Sequence, residues 1–321
     1  MIKINKYFTK KDSQSIYKGL SQKRQDGKPL LENLKEQKNK HSFRPDLYGS
    51  DKIKRKLRSF FHDKCAFCES YAKSAENEGQ LQTIWQVEHY RPKAGVTEDK
   101  DHKGYYWLAY ESTNLLTACY RCNALSKGNH FPIKGGTERA KADSFIENDE
   151  IDFNKCTIHN ITEQAILLNP VIDNPDDFLL FCKDGSIKSK EENERGKQTI
   201  DILGLDKPDL VRERKTIIDA IRNGIQKEAL KLHYETKKKK SAIISKSAFR
   251  VIIKHYYYKE ILLKIRETTT PYIAFRVAIL RNFEEFILKN EDKTTDKDFV
   301  LPYQSELLNA YREVIKKSSI Q

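Results

Sequence analysis

Two Cys-x-x-Cys pairs, Cys65/Cys68 and Cys119/Cys122, mark the part of the chain whose residues can do chemistry. Each pair can present two thiolates from one tight turn, and four thiolates in a tetrahedron are a ligand set that zinc prefers. The pairs therefore predict a structural zinc site, because four sulfur ligands leave no open coordination position for catalysis. Two pairs of buried thiols, or disulfides in an oxidised sample, are the alternatives.

Residues suited to phosphodiester hydrolysis lie between and after the cysteines. That reaction needs a base for the attacking water, a cation at the phosphate and stabilisation of the leaving oxygen. His89 can be the base when neutral, and Asn114 can hydrogen-bond the imidazole and fix its tautomer. Asn123 offers a neutral oxygen to a hard metal such as Mg²⁺. Lys127, one helical turn beyond Asn123, can contact phosphate.

Glu88 directly precedes His89, and adjacent residues of a strand point to opposite faces. A bend after the strand, or a metal reached from the strand end, is needed for both to converge on one phosphate. Arg91 and Lys93 flank a proline just after the base. They can bind the scissile strand, although a solvated loop explains them nearly as well.

These residues need elements that position them. The apolar pattern predicts a helix over residues 50–62, which runs into the first cysteine pair. It predicts strands over residues 84–90 and 115–118, and a short helix from the second cysteine pair to Lys127. Gly128-Asn129 is expected to end that helix.

The remainder of the chain is predicted to be mainly helical. An Asp184-Gly185 turn predicts a hairpin, and helical spacing follows Pro208. Further helices are predicted over residues 243–265 and 271–288, with a last one over residues 303–315.

Composition limits the class of protein. The formal net charge of +13 favours a polyanionic partner such as nucleic acid, although a basic solubilising surface is the alternative. No N-terminal signal segment and no membrane-spanning apolar run are evident in the sequence. We therefore expect a cytoplasmic bacterial protein without a membrane partner, whose cysteines are metal ligands or buried thiols.

The run Glu88 to Lys93, then Asn114-Leu115, then Cys119-x-x-Cys122-Asn123-x-x-x-Lys127 resembles the HNH endonuclease motif on a ββα-metal fold. The resemblance implies that His89 is the general base and that Asn114 orients it. It also implies that Glu88 and Asn123 ligate a catalytic Mg²⁺ or Mn²⁺. The four cysteines are similar to the zinc knuckle of many HNH nucleases.

Two departures from the HNH pattern concern the metal ligands. Many HNH proteins carry aspartate where this chain has Glu88, and many end the motif with a histidine ligand. Here Asn123 takes the usual asparagine position, and His130 follows shortly after it. His130 is therefore a candidate additional ligand or phosphate contact, with an ordinary loop residue as the alternative.

A narrower resemblance covers residues 50 to 205. The segments Lys64–Glu69, Val87–Lys93, Gly104–Tyr110 and Leu168–Asp173 resemble the PtuB family, the HNH component of Septu and of some retron antiphage systems. This implies a defence nuclease held in a complex with PtuA, an ABC-type ATPase. In retrons the complex also contains a reverse transcriptase with its msDNA.

The sequence thus predicts an α+β protein, with a small ββα-metal nuclease core and a zinc knuckle inside a mostly α-helical body. We expect a polar arm over residues 1–48, the nuclease domain with a following hairpin over 49–205, and a helical partner-docking or regulatory domain over 206–321. The expected function is metal-dependent cleavage of DNA, or of RNA such as tRNA. The alternative is a zinc-knuckle nucleic-acid-binding or adaptor module without catalysis.

Overall fold

The computed structural model describes residues 1, 3–4, 43–71, 74–77, 80–83, 85–135, 137–141, 146–147, 150–151, 163–238, 244–289 and 303–318. Most of the polar arm predicted over residues 1–48 lies outside them. The described part of the chain combines helices with two-stranded sheets. The predicted mixture of helices and small sheets is confirmed.

The chain divides into two compact units. Residues 1–179 with 189–205 form the first, and residues 180–188 with 206–321 form the second. The division after residue 205 falls where the sequence pattern changes from the motif-bearing region to long helices. The roles assigned to the two regions stay predictions.

The first unit is built from short elements. In chain order they are α1 (Pro45–Tyr48), α2 (Asp51–Phe61), β1 (Ser74–Asn77), β2 (Gln80–Thr83), β3 (Trp85–His89), β4 (Leu115–Cys119), a π-helix (Arg121–Lys127), β5 (Ile146–Glu147), β6 (Glu150–Ile151) and α3 (Glu194–Leu203). The β1–β2 and β5–β6 hairpins were not predicted from the sequence. Strands β3 and β4 and the helix after them were predicted.

Helix α2 forms because Ile53, Leu57 and Phe61 recur on one face, and all three side chains are buried. The helix ends at His62, whose backbone takes a left-handed conformation with φ of 52°. That reversal directs the chain straight into the first cysteine pair.

Strands β3 and β4 pair in antiparallel register, with Glu88 opposite Leu116 and His89 opposite Leu115. Leu115 and Leu116 are both fully buried, so the start of β4 packs in the core of the first unit. The pairing fixes the end of β3, which carries the two candidate catalytic side chains.

A hairpin lies at the division between the units. Its strands are β7 (Leu179–Phe181) and β8 (Ile187–Ser189). Residues 180–188 group with the second unit, and the predicted assignment of the hairpin to a nuclease domain over residues 49–205 stays a prediction. The reason for the grouping is local bonding, since Arg214 donates from Nε to the Gly185 carbonyl oxygen at 2.6 Å.

The second unit is otherwise helical, as predicted. Its elements are α4 (Pro208–Lys238), α5 (Lys246–Lys254), a π-helix (His255–Leu263), α6 (Lys264–Arg266), α7 (Ile273–Arg281), a π-helix (Glu284–Leu288) and α8 (Gln304–Ser318). Gly224 of α4 packs closely on Tyr256, because a β-carbon there would lie 2.4 Å from the tyrosine hydroxyl and would force that side chain to move. Within the described residues, no helix has both the length and the apolarity to cross a membrane.

Candidate functional site

The four motif cysteines converge on one point. The Sγ atoms of Cys65, Cys68, Cys119 and Cys122 all lie within 4.8 Å of one another, and those of Cys68 and Cys119 are 3.7 Å apart. A tetrahedral site with Zn–S bonds of about 2.3 Å has sulfur–sulfur edges of about 3.8 Å. All four are free thiols rather than disulfides. The cluster can therefore bind a metal such as zinc.

Backbone and side-chain hydrogen bonds attach the first cysteine turn to β4. The Ala66 amide donates to the Thr117 carbonyl oxygen at 2.9 Å, and the Thr117 hydroxyl donates to the Lys64 carbonyl oxygen at 2.7 Å. Cys119 then ends β4 and begins the second turn. Hydrogen bonds from the other thiols, that of Cys122 first, lower the pKa of Cys119, which favours a thiolate.

His89 is held in one tautomer by a backbone carbonyl. Its Nε2 lies 2.9 Å from the carbonyl oxygen of Ala109. Because a carbonyl can only accept, Nε2 carries the proton and Nδ1 keeps its lone pair. Burial, followed by the positive charge of Lys93, lowers the pKa of His89 to about 3. His89 is therefore neutral at physiological pH, as a general base must be.

The short helix α1 covers His89. The ring of Tyr48 packs edge-on against the imidazole with 4.7 Å between centroids, and His89 is 4% exposed. Lys93 Nζ lies 5.4 Å from the ring centroid of Tyr48 and 5.5 Å from that of Phe43. The candidate base is thus shielded from solvent, and Lys93 lies against aromatic rings. Its role in phosphate contact stays a prediction.

Asn114 holds the backbone after the base rather than the imidazole. Its Oδ1 accepts from the Arg91 amide at 2.8 Å, and its Nδ2 donates to the Arg91 carbonyl oxygen at 3.0 Å. In the described part of the chain, the predicted contact of Asn114 with the His89 ring is absent, and the Ala109 carbonyl oxygen contacts the ring instead. Asn114 therefore fixes the turn that follows His89, and its role in orienting the base stays a prediction.

Glu88 points to the opposite face of β3, towards the π-helix. Its Oε1 forms an ion pair with Lys127 Nζ at 2.6 Å, with side-chain exposures of 5% and 0%. Lys127 Nζ also donates to the His89 carbonyl oxygen at 3.1 Å. The Lys127 ammonium group is therefore buried against Glu88 in this structure, and its predicted phosphate contact stays a prediction.

Glu88 and Asn123, the residues implied for the catalytic metal, contact other side chains in this structure. Asn123 donates from Nδ2 to the side-chain oxygen of Gln86 at 2.8 Å, and Glu88 is neutralised by Lys127. Within the described residues, the cysteine cluster is the only group of three or more His, Cys, Asp and Glu side chains close enough to share an ion. The donor set at Glu88 does not fit a divalent ion while Lys127 holds the carboxylate.

Arg91 is buried instead of facing a phosphate. Its Nε donates to Glu163 Oε1 at 2.6 Å, and Glu163 also accepts from the Tyr105 hydroxyl at 2.7 Å and from the Ala140 amide at 2.9 Å. Arg91 therefore forms an internal ion pair in this structure, and its predicted phosphate contact stays a prediction. Glu163 was missed because no motif or spacing around it marks it as a partner for the arginine.

His130 contacts an acidic side chain of the charged loop. Its Nδ1 lies 2.8 Å from Glu98 Oε1, and the Phe131 amide donates to Glu98 Oε2 at 2.8 Å. Among the described residues, His130 belongs to no group of three or more His, Cys, Asp and Glu side chains close enough to share an ion. Its role as an additional ligand stays a prediction.

Comparisons with known proteins agree with the motif resemblance. The chain is 26% identical over 276 residues to the Septu protein PtuB of Bacillus mycoides (strain KBAB4), covering 85% of this chain and 80% of that protein. This similarity supports membership in the PtuB family of Septu defence. Because the match covers 276 of the 321 residues, it extends into both units of the chain.

A second similarity joins the chain to another Septu protein. It is 27% identical over 171 residues to the Septu protein PtuA of the same strain, covering 52% of this chain but only 21% of PtuA. The two similarities together suggest a component of an antiphage defence system. No protein-family model and no solved structure matches the chain.

Proposed function

We propose that the chain is an HNH nuclease that hydrolyses phosphodiester bonds in nucleic acid as the effector of a Septu-type defence system. The observation that carries this proposal is the contact between His89 and Ala109, which leaves Nδ1 as a free acceptor on a neutral ring. The β3–β4 hairpin followed by the Arg121–Lys127 helix supports the ββα-metal assignment.

In this proposal Nδ1 of His89 takes a proton from the water that attacks phosphorus. As the new oxygen–phosphorus bond forms, the bond from phosphorus to the leaving oxygen breaks, and that oxygen takes a proton from solvent. The proton on Nε2 stays hydrogen-bonded to the Ala109 carbonyl, which stabilises the imidazolium that forms. Asn114 keeps the turn after His89 rigid, so that the ring meets the water in one orientation.

The cysteine cluster has a structural role in the proposal, with zinc as its ion. It joins the end of α2 to the end of β4 through Cys65 and Cys119. Four sulfur donors leave no position for water or substrate, so the ion supplies stability and no part of the hydrolysis. DNA is the proposed substrate because the +13 charge favours a polyanion, and RNA is the alternative.

The proposed partner is a PtuA-like ATPase, and the helical second unit is the proposed docking part. The similarity to Septu proteins supports this context. A zinc-knuckle nucleic-acid-binding module without catalysis is the second candidate. It is favoured by one observation, the burial of both Glu88 and His89.

A cleavage assay separates these two functions. Wild type, His89→Ala and His255→Ala would be incubated with supercoiled plasmid or total tRNA in Mg²⁺ or Mn²⁺, with and without the PtuA-like ATPase. His255 is the matched control because it lies half-exposed in the second unit. Cleavage lost only in His89→Ala supports the nuclease, and the substrate cut identifies its class. Binding without cleavage in every mixture supports the module.

A further inference from the structure

The ion pair between Glu88 and Lys127 lies where the family motif would require a metal ligand. Lys127 Nζ is 2.6 Å from Glu88 Oε1, and the lysine side chain is 0% exposed. The same ammonium donates to the His89 carbonyl oxygen at 3.1 Å. One cation thus joins the candidate ligand to the backbone of the candidate base.

The geometry of β3 and the π-helix explains this contact. Gln86 and Glu88 share one face of the strand, and they meet Asn123 and Lys127 respectively. The helix makes a wide turn in which the Gly128 amide donates to the Asn123 carbonyl oxygen at 2.7 Å. Helical turns of this kind are rare and recur at functional sites.

The surrounding charge is already positive. Burial lowers the pKa of Lys93, while the Glu88 carboxylate raises that pKa and the Lys127 ammonium group lowers it further. The charge of Glu88 is thus already compensated by lysine, with Lys127 in direct contact. A divalent ion added beside Glu88 would meet strong repulsion from Lys127 at this low-dielectric position.

We propose that Lys127 is a built-in cation that competes with divalent metal ions for the Glu88 carboxylate. Metal binding at Glu88 and the Glu88–Lys127 contact are then mutually exclusive, and Lys127 has to leave before an ion can bind. The apparent metal affinity of the chain is reduced by the fraction of molecules in which Lys127 occupies Glu88. This inference rests on the proposed function, because the nuclease assignment makes Glu88 a candidate ligand.

Mn²⁺ binding to the zinc-loaded full chain tests the competition without measuring cleavage. Free Mn²⁺ would be followed by electron paramagnetic resonance in titrations of wild type, Lys127→Gln, Lys127→Arg and the double variant Glu88→Gln/Lys127→Gln. Glutamine removes the charge but keeps a hydrogen-bond donor for Glu88, whereas arginine keeps the charge as the matched control.

Lys127→Gln should bind Mn²⁺ roughly ten-fold or more tightly than wild type. Lys127→Arg should bind no more tightly than wild type, and the double variant should lose the gain. Equal affinity of wild type and Lys127→Gln would overturn the proposal, as would a gain that persists without Glu88. Zinc content and circular dichroism confirm folding, and Lys127→Met replaces the glutamine variant if that variant does not fold.

The two hypotheses fail separately. If the chain never cleaves nucleic acid but its Mn²⁺ affinity changes with the charge at position 127, the competition hypothesis stands and the nuclease function is rejected. A nuclease that depends on His89 but binds Mn²⁺ equally with or without the Lys127 charge would reject the competition alone.

Discussion

The imidazole Nε2 of His89 is bonded to the carbonyl oxygen of Ala109, 2.9 Å away and 20 positions further along the chain. Ala109 follows the 3₁₀ turn Tyr106–Leu108, whose residues Trp107 and Leu108 are buried. The segment Gly104–Tyr110, which carries part of the PtuB resemblance, therefore has a physical role. It presents a backbone acceptor that fixes the tautomer of the candidate base.

From the cysteine cluster we predict that replacing one of its cysteines lowers zinc content and stability together. Cys119→Ser removes one of four converging sulfur atoms, so zinc content should fall and the melting temperature should drop by roughly 10 °C or more. Atomic emission and calorimetry measure the two quantities. Cys182→Ser is the matched control, because Cys182 is a free thiol that takes no part in the cluster. Unchanged zinc content in Cys119→Ser would contradict a four-cysteine site.

The packing of Tyr48 on His89 predicts a change in reactivity. Tyr48→Ala removes the ring whose centroid lies 4.7 Å from the imidazole, so His89 should be carbethoxylated by diethyl pyrocarbonate several-fold faster. Peptide mass spectrometry measures the rate at this one histidine. Tyr234→Ala serves as the control, since Tyr234 is 67% exposed in the second unit. The same rate in wild type and Tyr48→Ala would mean that α1 does not shield the base.

From the hydrogen bonds of Asn114 we predict that its removal destabilises the protein at the turn after His89. Asn114→Ala leaves the Arg91 amide and carbonyl without their side-chain partners, which should lower the free energy of unfolding by about 1–3 kcal/mol. Urea denaturation measures the difference. Asn129→Ala is the control, because Asn129 makes an exposed hydrogen bond to the Ala94 carbonyl oxygen. Equal losses in the two variants would contradict a special role for Asn114.

From the buried contact between Glu163 and Arg91 we predict a larger loss of stability than for Asn114→Ala. Glu163→Gln leaves the buried Arg91 guanidinium without its counter-charge, and breaking such a pair typically lowers the free energy of unfolding by about 3–5 kcal/mol. Chemical denaturation measures this, with Glu98→Gln as a control whose partner His130 is exposed. A loss no greater than that of the control would mean that the buried ion pair is unimportant for stability.

Local patterns explain what could be predicted from the sequence. The cysteine cluster follows from two short turns, and β3, β4 and the helix to Lys127 follow from short apolar segments and helix-ending residues. These features depend on neighbours in the chain, so one sequence contains enough information to find them.

Contacts between distant segments could not be predicted. The partner of Arg91 is Glu163, 72 positions away, and the acceptor for His89 is a backbone carbonyl that no residue type encodes. The burial of Lys127 was equally hidden, because a lysine one turn beyond Asn123 suits a phosphate contact and a buried ion pair alike. Only the packing of the π-helix on β3 distinguishes them.

The tautomer of His89 is the claim on which the nuclease proposal depends most directly. Two-dimensional ¹⁵N–¹H correlation spectra of zinc-loaded protein, assigned with His89→Gln, would identify which ring nitrogen carries the proton. We predict a neutral ring protonated at Nε2 at pH 7, with Nδ1 unprotonated. A ring protonated at Nδ1 alone, or at both nitrogens, would contradict the assignment of Nδ1 as the base.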